Sequence, residues 1–157
     1  MQKITPCLWF DDQGEEAAKF YVSIFKDSKI LETSHYGDGA PMPKGTVMTV
    51  KFRLGDQEYL ALNGGPAFHF SEAVSLVINC ETQAEVDHYW EKLLAGGGKE
   101  SVCGWLKDKF GFSWQVTPTL LPKLLMDKDE AKANRVMQAM MKMVKIDIAT
   151  LKKAAEG

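Results

Sequence analysis

The chain has 157 residues, 45% of them hydrophobic and 25% charged, which suits a globular protein with one full core or two small modules sharing one. A formal net charge of −2 and a pI near 5.9 give no basic footprint of the kind nucleic-acid binding needs. No apolar run approaches the length of a membrane span, and the opening Met-Gln-Lys-Ile-Thr-Pro lacks the apolar stretch of a signal peptide, so the expected location is the cytoplasm.

Residues 4–10 form a short apolar run with strand character, and Asp11-Asp12-Gln13-Gly14 behind it is turn and cap material. From Glu15 the period changes. Ala17, Phe20, Tyr21 and Ile24 fall at i, i+3, i+4 and i+7, the stripe of an amphipathic helix, with Asp12 and Glu15 spaced as a capping pair. Strands are predicted over 29–36, 46–54 and 57–63, separated by the Gly/Pro-rich segment 37–45 and the tight Gly55-Asp56 turn. Gly64-Gly65-Pro66 ends this first module.

A second apolar run, 74–80, leads into Thr82-Gln-Ala-Glu85, the spacing of a capping box. The helix that follows carries Val86, Tyr89, Trp90, Leu93 and Leu94 on one stripe and stops at Gly96-Gly97-Gly98. Shorter strands are predicted over 100–103, 105–109 and 112–117. In the last of these, alternation places Ser113, Gln115 and Thr117 on one face and Phe112, Trp114 and Val116 on the other.

The order of elements thus returns. Phe20-Tyr21 and Tyr89-Trp90 lie 69 positions apart, and the same offset pairs Leu8 with Val77 and Pro6 with Ser75 in the strands ahead of the helices. Nothing in the second copy matches the 37–45 loop, so Asn63 at the end of the first copy pairs with Gln115 at the end of the second. Internal repetition of this sort points to a tandem architecture. After Pro118 the pattern is helical, with Ala133, Val136, Met137, Met140, Met141 and Val144 on one stripe and Asp127 and Glu130 as its capping pair. The expected organisation is a two-module domain over 1–118, module one at 3–65 and module two at 72–118, then a helical extension over 119–157.

The segments Ile-Thr-Pro-Cys-Leu-Trp-Phe-Asp-Asp with Ala-Ala-Lys-Phe-Tyr, Leu-Asn-Gly-Gly-Pro-Ala-Phe, and Cys-Gly-Trp-Leu-Lys-Asp-Lys-Phe-Gly-Phe-Ser-Trp-Gln-Val-Thr-Pro, set in two βαβββ modules, resemble the vicinal oxygen chelate superfamily. That superfamily includes glyoxalase I, bleomycin-resistance proteins and extradiol dioxygenases. Within it the chain is similar to the PhnB-like branch, which carries the label 3-demethylubiquinone 3-methyltransferase-like. The resemblance implies an α+β, glyoxalase-like fold with a shared cleft, a homodimer, and a small organic ligand. It also implies where metal ligands would stand, one on the first and one on the last strand of each module, at Pro6, Asn63, Ser75 and Gln115. Superfamily enzymes place histidines or carboxylates there, whereas a proline, a hydroxyl and two amides are poor donors for a divalent ion. The expectation is a site with no metal and no cofactor.

Other groups point the same way or nowhere. His35, His69 and His88 share no motif, though His69, in the linker Pro66-Ala-Phe-His-Phe70, is placed to reach a cleft mouth, and Trp105 to line an apolar pocket. Cys7, Cys80 and Cys103, odd in number and far apart, read as reduced thiols. No phosphate loop, dinucleotide fingerprint or nucleophile elbow stands in its required strand-to-helix setting. Three functions therefore remain open. The favoured one is metal-independent binding of a small molecule through Pro6, Asn63, Ser75, Gln115, Trp105 and His69, with no catalytic residue assigned. The others are a metal-dependent lyase, isomerase or dioxygenase, and a methyltransferase, for which no S-adenosylmethionine motif is present.

Overall fold

The structure is a computed structural model and describes residues 2–157. It divides into two compact units, Met1–Phe70 and Ser71–Gly157. In the first, β1 (Cys7–Phe10) leads through α1 (Gly14–Ile24) to β2 (Lys29–His35), β3 (Val47–Leu54) and β4 (Gln57–Asn63). These strands make one sheet in the order β1-β4-β3-β2, with β1 and β4 parallel and the other pairs antiparallel. The second unit repeats the plan with β5 (Ser75–Cys80), α2 (Gln83–Leu94), β6 (Lys99–Glu100), β7 (Trp105–Lys107) and β8 (Ser113–Pro118). Its sheet order is β5-β8-β7-β6. Two four-stranded mixed sheets, each with a helix, make the α+β two-module plan that the repeat predicts.

Each sheet is covered by its own helix because strand alternation and helix periodicity supply one apolar face apiece. In the first unit Leu8, Phe10, Val50, Phe52, Tyr59 and Ala61 are buried together with Ala17, Ala18, Tyr21 and Ile24 of α1. In the second, Ile78, Cys80, Leu106, Trp114 and Val116 are buried, as are Val86, Trp90 and Leu93 of α2. Burial, aided by the charges of Glu85 and Glu81, pushes the Cys80 thiol up to about 12, so this cysteine is an inert core residue.

Three sequence expectations need correction. The 69-residue offset holds between the helices, where Ala17, Tyr21 and Ile24 match Val86, Trp90 and Leu93, but fails in the strands. Leu8 is 6% exposed and Val77 is 50% exposed, whereas Ile78 is 9% exposed, so the strands match at an offset of 70. The loop between strand and helix is one residue shorter in the second copy, since α1 starts four residues after Phe10 and α2 three after Cys80. A one-residue slip moves every side chain to the other face, and the pairing of Pro6 with Ser75 goes with it.

The second correction concerns capping. α1 is not capped by Asp12, because its N-cap is Gln13 and makes no side-chain cap bond. The first helical N–H, of Gly14, donates instead to Asn63 Oδ1 at 2.7 Å. Any side chain at Gly14 would meet that oxygen at 2.7 Å from its Cβ, which explains the glycine. α2 is capped as expected, with Thr82 Oγ1 accepting from Glu85 N at 3.2 Å and Glu85 Oε2 from Glu81 N at 2.8 Å.

Thirdly, the tail is three helices, α3 (Leu120–Leu125), α4 (Glu130–Met141) and α5 (Ile148–Glu156). Asp129, not Asp127, caps α4, accepting from Ala131 N and Lys132 N at 3.1 and 3.3 Å. Leu121, Val136, Ile146 and Leu151 form its core, while Met137 and Met141 of the methionine stripe are exposed. The tail belongs to the second unit. Gln83 donates to Ile146 O at 3.1 Å and accepts from Ile148 N at 2.8 Å. Lys145 pairs with Asp87 at 2.8 Å, and Met143 O and Val144 O accept from Cys103 N and Gly104 N at 2.9 and 2.8 Å. No helix among the described residues is long and apolar enough to cross a membrane.

Candidate functional site

The face of the second sheet opposite α2 gathers most of the polar strand residues. In the parallel pair of β5 and β8, Ser75 stands opposite Ser113 and Val77 opposite Gln115. Across the antiparallel pair, Trp105 stands opposite Gln115 and Lys107 opposite Ser113. Because Leu76, Ile78, Trp114, Val116 and Leu106 take the α2 side, these partners share the other side. Gln115 Nε2 donates to Ser75 Oγ at 2.9 Å. Two positions picked from the sequence are therefore joined in one polar pair, half-buried, beside the exposed Val77.

The strand that carries them is held from below. The buried Asp108 carboxylate accepts from Phe110 N at 2.9 Å, from Phe112 N at 3.1 Å and from Trp114 Nε1 at 2.8 Å. With the Trp114 indole fixed in this way on the α2 side, its neighbours Ser113 and Gln115 are fixed on the other. At the near end of β7, Gly104 has a φ of +84° and a Cβ there would lie 2.9 Å from both Val116 O and the Ile146 side chain. The tail thus grips the turn that sets Trp105.

A cavity of about 220 Å³ opens on this unit, lined by Glu72, Lys99, Glu100, Trp105, Lys107 and Ser113 together with Ser101 and Leu106. Ser113 is 1% exposed and its hydroxyl has no hydrogen-bond partner. A buried hydroxyl left without a partner costs about 1–3 kcal/mol. Lys107 is ion-paired with Glu72, and the hydrogen bond from Lys107 is the main reason the Glu72 carboxyl is held below the usual carboxylate range. Glu100 accepts from the Trp90 indole of α2 at 3.1 Å.

The remaining sequence candidates lie elsewhere. Pro6 precedes β1 and its carbonyl accepts from Leu60 N at 2.9 Å. Asn63 is 6% exposed and lies on the α1 side of the first sheet, where Nδ2 donates to Val47 O at 3.1 Å, Oδ1 takes the Gly14 N–H and the main-chain carbonyl takes the Tyr36 hydroxyl. By strand register Phe10 pairs with Asn63 as Cys80 pairs with Pro118, so Pro118, not Gln115, is the repeat partner of Asn63. His69 is in an exposed loop. Ser113, Lys99 and Glu72 were not singled out from the sequence. The parity of Ser113 with Gln115 was the available signal for the first, and nothing local marks the other two.

The donor chemistry does not fit a metal at the four strand positions. The amide of Asn63 is bonded within its own unit, and Ser75 and Gln115 bond to each other. Among the described residues, no group of three or more His, Cys, Asp or Glu side chains could hold a metal ion. A second, larger cavity of about 570 Å³ in the first unit is lined by Asp11, Asp12, Glu15, Met42 and Asn63 among others.

Comparison with known proteins places this geometry in a family. Residues 2–117 match the family described as 3-demethylubiquinone-9 3-methyltransferase. The putative 3-demethylubiquinone-9 3-methyltransferase, PhnB protein, of Bacillus cereus is 37% identical, with a TM-score of 0.68 over 75% of this chain and 100% of that one. Protein PA1353 of Pseudomonas aeruginosa shares the fold at 22% identity and a TM-score of 0.61, over 75% and 98% of the two chains. So does the genomically encoded fosfomycin resistance protein FosX of Listeria monocytogenes, at 13% identity and a TM-score of 0.51, over 75% and 93%. No curated protein matches the chain. The family match ends at residue 117, before α3. The chain belongs to the PhnB-like 3-demethylubiquinone-9 3-methyltransferase family.

Proposed function

We propose that the protein binds a small organic molecule, without a metal, on the face of its second sheet opposite α2. The observation that carries this reading is the buried, unpartnered Ser113 hydroxyl on the wall of a cavity that Trp105 also lines. A native protein pairs its buried polar groups, and a ligand that brings a polar atom to Ser113 relieves the deficit. Trp105 offers an aromatic wall, and the Gln115–Ser75 pair, on the same sheet face, can exchange its mutual bond for bonds to a ligand because an amide donates and accepts at once. At about 220 Å³ the space falls below the roughly 300–1,000 Å³ of drug-sized sites, which favours a ligand of about one ring.

Methyl transfer, the activity in the family's description, draws no support from these residues. The first strand runs into Phe10-Asp-Asp-Gln-Gly14 rather than a glycine-rich turn, and each sheet is mixed, with a single parallel pair. Binding is tested by following the Trp105 indole N–H by NMR while single-ring compounds are titrated into protein stripped with EDTA. The expected result is a saturable shift that is unaffected by the chelator, with Trp105→Ala losing the heat of binding in calorimetry. Elemental analysis that finds one tightly held divalent metal per chain, with binding abolished by EDTA, would overturn the metal-free reading.

A further inference from the structure

We infer that the ligand of this site is an anion, a flat ring bearing a carboxylate or similar oxyanion, whose charged end is taken by Lys99 and Ser113 while its ring lies on Trp105. The inference rests on the binding reading above and follows from the balance of charge around the cavity. Two carboxylates and two ammonium groups stand in its wall, but three of the four are already engaged. Glu100 is the register partner of Leu106, a core residue, so its side chain leaves on the α2 side and accepts from Trp90. Glu72 and Lys107 pair with each other. Lys99 stands opposite Lys107 across β6 and β7, on the same side as Trp105 and Ser113. It has no carboxylate of its own there, so on that side Lys99, Lys107 and Glu72 leave one positive charge over, while Glu100 keeps its negative charge on the α2 side.

Ser113 adds direction to that charge. Its hydroxyl is the buried polar group here that lacks a partner, and a hydroxyl donating to a carboxylate forms a shorter and stronger bond than one donating to a neutral oxygen. Lys99 is exposed, where attraction across water is weak by itself. The combination gives selectivity, because only an anion satisfies the donor and the charge together. A cationic ligand would meet the unpaired Lys99 ammonium, and Ser113 could only accept from it.

Three probes of one shape separate the possibilities: phenylacetate, phenylacetamide and phenethylamine, each titrated against the Trp105 indole N–H resonance. Phenylacetate should bind at least about tenfold more tightly than the amide, a difference of about 1.4 kcal/mol, and the amine should bind most weakly. Lys99→Gln should erase most of that preference, and Ser113→Ala should weaken phenylacetate about tenfold. The Ser113→Ala protein should also be no less stable than the parent, since it removes an unpaired hydroxyl rather than a bond. An amide or amine that binds as tightly as phenylacetate, or a preference untouched by Lys99→Gln, would overturn the anion inference and leave the binding site standing. If none of the three moves the Trp105 signal, both readings fail.

Discussion

In the first module the polar residue at the end of the last strand, Asn63, turns toward α1 and satisfies its first N–H. In the second, Gln115 turns the other way, toward Ser75, and α2 is capped by Thr82 in its own loop. One element plan thus carries two divisions of labour. Where a remote amide caps the helix, the strand's polar group is absorbed by the fold. Where the loop supplies a local capping box, the last strand is released from that duty, and a proline, Pro118, stands at the matching register. The polar face of β8, on the side away from α2, takes no part in capping either helix. The tail reinforces the contrast, since Gln83, Asp87, Cys103 and Gly104, its anchor points, all belong to the second unit.

The contrast is most easily broken through the tail. Leu151 is fully buried in the tail's core, so Leu151→Ala should destabilise by about 2–5 kcal/mol. Hydrogen exchange should show the loss over α3–α5 and the turn at Cys103 and Gly104, with α1 and the first sheet unaffected. Protection lost evenly over both units would show that the tail does not brace the second unit specifically.

A smaller effect separates the two amides. Asn63→Leu strips partners from the Gly14 N–H and from Val47 O, and should cost about 1–3 kcal/mol in chemical denaturation. Gln115→Leu on the open face should change stability by no more than about 0.5 kcal/mol while weakening ligand binding. Equal losses of stability in the two variants would mean that Gln115 is as structural as Asn63.

The smallest effect is one of pH. Hydrogen bonds from Lys145 and then Gln83 hold the Asp87 carboxyl below its ordinary range. A carboxyl depressed in the folded state contributes stability above its unfolded pKa and loses it as pH falls through the folded value. The link between α2 and the tail should therefore be intact at neutral pH and weaken only below the usual carboxylate range. In Asp87→Asn that acid-dependent part of the tail's hydrogen exchange should vanish; an unchanged profile would place its origin elsewhere.

Much of this was legible in the sequence because periodicity is local. The helix stripes, the Thr82–Glu85 box and the alternation of Ser113, Gln115 and Thr117 each depend on neighbours in the chain. What sequence missed depends on counting across a loop or on distant partners. One residue less between β5 and α2 shifts the strand correspondence by one, so equating Ser75 with Pro6 assigned opposite faces to one position. The cap of α1 comes from a residue 49 positions away, which no capping motif reports. The cavity draws Glu72, Lys99 and Ser113 from three separate segments, and the significance of Ser113 lies in the absence of a partner, which depends on how distant segments pack around it.

The face of the second sheet opposite α2 should bind a ligand directly, through protein groups alone. The most direct test is a crystal structure of the EDTA-treated protein soaked with phenylacetate. The ring should lie against Trp105, with a carboxylate oxygen within hydrogen-bond reach of Ser113 Oγ. A probe held through a metal ion, or found only against the first unit while the Ser113 cavity stays empty, would contradict it.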